Sequence, residues 1–126
     1  MKQKRLYKKK FPVSIYETSV TVFVVDDISD MENYLRKNKL ISDIANSDGC
    51  VLQVPRPEGV EYFIVYVKNA ISHNLIAHEI FHLAKNLAGA INIDDEESVA
   101  WLVGHLSEKI YSIPVSYTHL TLPTIL

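Results

Sequence analysis

The sequence predicts a small α+β domain, ordered as strand, helix, β-hairpin and two consecutive helices. Three observations carry this. Residues 11–25 are rich in β-branched and aromatic side chains. Two short apolar runs flank the turn-forming stretch Pro55-Arg56-Pro57-Glu58-Gly59. From Ser72 onward the apolar spacing changes to that of helices. A chain of 126 residues is long enough for one domain with a true hydrophobic core.

Each element follows in order. Phe11 to Val25 reads as extended structure. Ser29-Asp30-Met31-Glu32 has the Ser-x-x-Glu spacing of a capping box, which predicts a short helix over residues 30–39. Asn46-Ser47-Asp48-Gly49 is turn chemistry. Residues 50–54 and 60–68 then form the two strands of a hairpin with a loop of residues 55–59. Leu75, Ile76, Ile80, Leu83 and Leu87 mark the apolar side of the next helix, which Gly89 is placed to end. A last helix starts at the N-cap Asp94, with Val99, Leu102, Val103, Leu106 and Ile110 three and four residues apart as its stripe.

Composition excludes several classes. With 48% apolar and 22% charged residues the chain suits an ordinary globular protein, and a net charge of -2 favours neither nucleic acid nor membrane. Lys2, Lys4, Arg5, Lys8, Lys9 and Lys10 crowd the start, so residues 1–10 are expected to be a flexible basic terminus. No apolar stretch has the length of a membrane span, and no signal-peptide pattern follows the basic start. Cys50 is the single cysteine, which fits a reducing, cytoplasmic compartment.

The chemistry concentrates in His78-Glu79-Ile80-Phe81-His82. Two histidines four residues apart on a helix share a face, so both imidazoles can converge on one Zn2+. Glu79 adjoins the first ligand and reaches the open coordination place, where it would act as general base toward a zinc-bound water. A catalytic zinc needs a third protein ligand. Glu97, fifteen residues after His82, lies in the first turn of the following helix and shares an outward stripe with Trp101, Gly104 and Glu108. Two readings compete with it: Asp94-x-x-Glu97 is itself a capping-box spacing, and Glu96 is one position away.

HEIFHLAKNLAGAINIDDEESVAWLVGHL, residues 78–106, resembles the active-site half of the minigluzincins and of small zincin-like metallopeptidases encoded by phages. The match of Glu97-Ser98-Val99-Ala100-Trp101 to that family's Glu-x-x-Ala-aromatic stretch implies Glu97, rather than Glu96, as third ligand. The likeness extends more loosely over residues 11–113. It implies a zinc-dependent peptidase of a bacterial or phage-infected host cytoplasm, acting on a peptide or protein held as an added strand along the sheet edge. Residues 61–67 are the expected edge, with Tyr62 and Tyr66 on one face as candidates to stabilise an oxyanion and His105 as a candidate to polarise a carbonyl. Larger relatives place an Asp four residues after the ligand Glu. Trp101 stands there, so Asp94 or a backbone carbonyl would orient a histidine instead.

Two alternatives accompany this reading. One is a zinc-stabilised, phage-associated binding or structural module with little hydrolysis. The other is a deformylase-like amidase, because Asp48-Gly49-Cys50-Val51 faintly resembles the segment that supplies a cysteine ligand in those enzymes. Residues 115–124, VSYTHLTLPT, resemble the translation of a transposase-type sequencing adapter. Residues 114–126 are therefore expected to be a non-native tail, 11–113 the domain, and His119 carries no role.

Overall fold

Two apolar runs at the centre of the chain, VTVFVV in residues 20–25 and YFIVY in residues 62–66, set the architecture. Near-continuous apolar strands are those buried on both faces, between two layers. The computed structural model describes residues 6–13, 18–40, 44, 47–57 and 59–116. It is an α+β fold. The elements run β1 (Leu6–Val13), β2 (Thr18–Val25), α1 (Ile28–Lys37), β3 (Gly49–Arg56), β4 (Gly59–Val67), a 3-10 turn (Lys68–Ala70), α2 (His73–Ala90), α3 (Glu96–Ile110) and the short α4 (Ser112–Val115).

The sheet order is β1-β2-β4-β3. β1 pairs antiparallel with β2, β2 parallel with β4, and β3 antiparallel with β4. Alternation along the strands divides the core in two. Val20, Val22, Val24, Tyr62, Ile64 and Tyr66 face α2 and α3, meeting Ile76, Ile80, Leu83, Leu87, Leu102 and Leu106. Phe23, Val25, Phe63 and Val65 face α1, meeting Met31 and Leu35.

Several expectations are corrected. Residues 6–10, expected within the basic terminus, form the first part of β1, with Lys8, Lys9 and Lys10 paired to Phe23, Val22 and Thr21. Lysines belong on such an edge, where their charge discourages pairing with another chain. The single extended segment expected over residues 11–25 is thus two strands. Helix α1 starts earlier than expected, because the capping box is built by Asp27 and Asp30 rather than Ser29 and Glu32. The hairpin is tighter than five residues: Arg56 pairs with Gly59, and Pro55 lies within β3, an edge strand that tolerates the missing N–H. Gly59 turns the chain with φ 147°, a conformation side chains disfavour.

Helix α2 begins where expected, its N-cap Ser72 accepting from the Leu75 N–H. It ends beyond Gly89. Asn92 takes the left-handed conformation at φ 59°, while the Ile93 and Asn92 N–H groups donate to the Ala88 and Gly89 carbonyls. That is a Schellman closure, with asparagine in the place glycine usually fills. Beyond α3, Ile113, Pro114 and Val115 of α4 are buried. His119 lies outside the described residues. Among the described residues no helix is long and apolar enough to cross a membrane.

Candidate metal and catalytic site

His78, Glu79 and His82 project from the middle of α2 with different surroundings. Ile76, Ile80, Leu83 and Leu87 fix the helix on the sheet, so the two histidines point outward; the His78 side chain is 60% exposed. Glu79, one step around the helix, is 6% exposed, on the flank beside β3. Its carboxylate Oε2 is 4.0 Å from His78 Nε2. Burial pushes the Glu79 carboxyl above its ordinary range, and the two nearby imidazoles pull it partly back.

The Nε2 atoms of His78 and His82 face each other at 3.1 Å, with ring centroids 4.6 Å apart. Two nitrogens bound to one tetrahedral zinc at roughly 2.0–2.1 Å lie about 3.3 Å apart. The imidazole pair therefore has the bite of a chelate, and its donor chemistry fits a divalent transition metal. Neither Glu97 nor Glu96 joins it: among the described residues no group of three or more His, Cys, Asp and Glu side chains is gathered closely enough to hold an ion.

Both acids are exposed in the first turn of α3. The cap there is Asp95, not Asp94, accepting from the Ser98 N–H, so Glu97 has no capping duty. The Ser98 hydroxyl and then the Ser98 N–H, both bonding to it, hold the Asp95 carboxyl below its usual range. The outward stripe is as expected, with Glu97, Trp101, Gly104 and Glu108 all exposed and Trp101 51% so.

Compared with protein-family models, with curated proteins and with solved structures, the chain matches none. The site is therefore read from its own geometry.

The remaining candidates are placed elsewhere. β4 is interior to the sheet, so Tyr62 and Tyr66 lie beneath the helices, 2% and 0% exposed. The Tyr66 hydroxyl donates to the Ile76 carbonyl at 3.2 Å, tying α2 to the sheet. Burial, with Glu79 and Tyr111 adding to it, pushes the Tyr66 hydroxyl up. His105 stacks its ring on Trp101, with centroids 5.1 Å apart and planes 5° from parallel, and is not gathered with the histidine pair. Cys50 packs on the α1 side of the sheet with Phe23 and Val65 and, among the described residues, is not gathered with the histidine pair. Burial and then the charge of Glu79 push its thiol up to about 12.

The edge next to the site is β3. Val67 N–H donates to the Asp48 carbonyl at 2.9 Å, so Cys50, Leu52, Val54 and Arg56 face β4 by alternation. Gly49, Val51 and Gln53 then turn N–H and C=O to the open side, and Pro55 turns only C=O. This strip begins at Gly49, beside Glu79. Sequence reasoning did not place Gly49 and Leu75 beside Glu79: the glycine read as turn chemistry and as part of the deformylase-like segment, the leucine as part of an apolar stripe.

Proposed function

We propose that this chain is a zinc-dependent peptidase of the gluzincin type. The observation that carries the reading is the pair of histidine Nε2 atoms at 3.1 Å beside a buried glutamate. His78 and His82 would hold the ion, with Glu97, the acid free of capping duty, recruited as third ligand. Zinc, when bound, supplies polarisation of the scissile carbonyl and acidification of water.

Glu79 does the proton work. As general base it accepts a proton from the attacking water, and as the acid so formed it returns one to the leaving amine. Its burial suits this, because a carboxyl raised toward neutrality exchanges protons in both directions more readily. An extended peptide would lie on the open edge of β3, hydrogen-bonded to Gly49, Val51 and Gln53, with its scissile bond carried past Glu79.

Glu79→Gln tests the reading. Cleavage of a broad peptide library, followed by mass spectrometry, should fall by about 10²–10⁴-fold, with zinc content unchanged. Full activity in the variant excludes this mechanism. Glu97→Ala should lower zinc content, and an unchanged stoichiometry removes Glu97 from the ligand set.

A second reading has its own support in the openness of the site, with His78 60% exposed on an outward helix face. It is a zinc-stabilised binding or structural module. A zinc-loaded protein that cleaves nothing in the library, yet loses stability on chelation, favours that module.

A further inference from the structure

We propose that Gly49 and Leu75 are positioning residues that together seat Glu79. This rests on the reading of Glu79 as general base.

Of the chain's four glycines, Gly49 alone stands in a confined place among neighbouring atoms. A Cβ added there would lie 2.9 Å from the Val65 carbonyl oxygen, 3.3 Å from Glu79 Cγ and 3.5 Å from Leu75 Cδ1. Gly89 and Gly104 would meet nothing within 4 Å. Leu75 precedes Glu79 by one helical turn, so both side chains leave the same flank of α2 and reach the start of β3. The methylenes of Glu79 thus run between a bare stretch of edge backbone and an apolar wall. A glutamate free on a helix surface samples several rotamers. Confined here, its carboxylate stays 4.0 Å from His78 Nε2, on the side where the peptide edge opens. A displacement of about 1 Å in such a group costs on the order of a hundredfold in rate.

The test uses the full chain loaded with zinc, with Gly49→Ala, Leu75→Ala and, as control, Gly104→Ala. The first two should retain zinc at the wild-type stoichiometry, hold KM within about twofold and lower kcat by about tenfold or more. Gly104→Ala should match the wild type. Crystal structures of the first two should show the Glu79 carboxylate displaced from its wild-type distance to His78 Nε2. A folded Gly49→Ala with kcat and that distance unchanged overturns the proposal. If Gly49→Ala does not fold, because its Cβ meets the Val65 carbonyl, Leu75→Ala decides by the same two measurements. Should the wild type cleave nothing, the peptidase reading fails by itself. The seat is then judged on the Glu79 position alone, and an undisplaced carboxylate in the variants overturns it.

Discussion

The two faces of the sheet treat charge in opposite ways. On the α1 face, ionised groups are partnered near the surface. Glu61 is bridged by Lys10 at 3.4 Å and by Arg56, and Lys8 lies 5.3 Å over the ring of Tyr34. Burial pushes the Glu61 carboxyl up, but the bonds and charges of Arg56 and Lys10 outweigh it and hold the group below its usual range. On the α2 face a carboxylate is buried above its ordinary range, while the imidazoles beside it stand in solvent. The first arrangement stabilises a fold at little cost. The second works against the fold and is what a proton-transfer site requires, since catalytic groups cluster where environments push titrations away from their ordinary values.

The largest expected difference between the faces is in stability. Phe23 on the α1 face is fully buried, with Phe63 and Tyr34 rings 4.9 and 5.1 Å away. Phe23→Ala should cost about 3–5 kcal/mol in denaturant unfolding. Glu79→Gln on the other face should instead leave the metal-free protein as stable or more stable at neutral pH. The sign follows from its raised pKa. A carboxyl harder to ionise in the folded than in the unfolded state makes stability fall as pH rises from the ordinary value of 4.5 upward. That fall should vanish in Glu79→Gln. A variant less stable than wild type at pH 7 would show that the carboxylate is part of the fold's support.

Zinc should act on one face alone. At a free concentration of one hundred times Kd it should raise the unfolding free energy by about 2.7 kcal/mol. His82→Ala should abolish the gain, whereas Phe23→Ala should lower the baseline and keep it. Stabilisation of the His82→Ala protein by zinc would place the ion elsewhere.

Proline separates the two sides of β3 on a smaller scale. Leu52 gives its N–H to the ladder with β4, so Leu52→Pro leaves the carbonyl of Phe63 without its donor and should cost about 1–3 kcal/mol. Val51 turns its N–H outward. Val51→Pro should be the milder change for stability, and its main effect should be a raised KM for peptides docking on the open edge. Equal stability losses in both variants would mean that the register assigned to the edge is wrong.

Much of this was legible in the sequence where local period decides. Helix α2, the apolar stripe of α3 and the hairpin follow from spacing alone, as does the shared face of His78 and His82. What escaped depends on distant pairing. No local pattern states that β2 pairs parallel with β4, yet that pairing buries Tyr62 and Tyr66 and moves the open edge to β3. Lys8, Lys9 and Lys10 looked like a solvated arm because an edge strand and a frayed terminus share a taste for lysine. Competing caps misplaced two helix starts: Asp27 and Asp95 are used where Ser29 and Asp94 offered the same chemistry. Glu97 shows the remaining limit. Its helix, face and exposure follow from the sequence, but whether its carboxylate meets the imidazoles depends on how two helices cross, which spacing does not encode.

The smallest effect concerns the paired charges of the α1 face. The Arg56 side chain is 39% exposed and that of Glu61 17%, so their attraction is screened by water and salt. Lys10 remains on Glu61 when Arg56 is removed, 3.4 Å from its other oxygen. Arg56→Ala should therefore cost under about 1 kcal/mol, and the difference from wild type should shrink as salt is raised. Glu61→Ala should cost more than Arg56→Ala, because it leaves two cations facing each other over an aromatic floor that includes Phe63. Unfolding at low and high salt measures both. A loss in Arg56→Ala that exceeds that of Glu61→Ala, or that salt does not reduce, would mean the guanidinium acts through packing of its stem rather than through charge. The contrast between a neutralised face and a strained one would then need to be drawn differently.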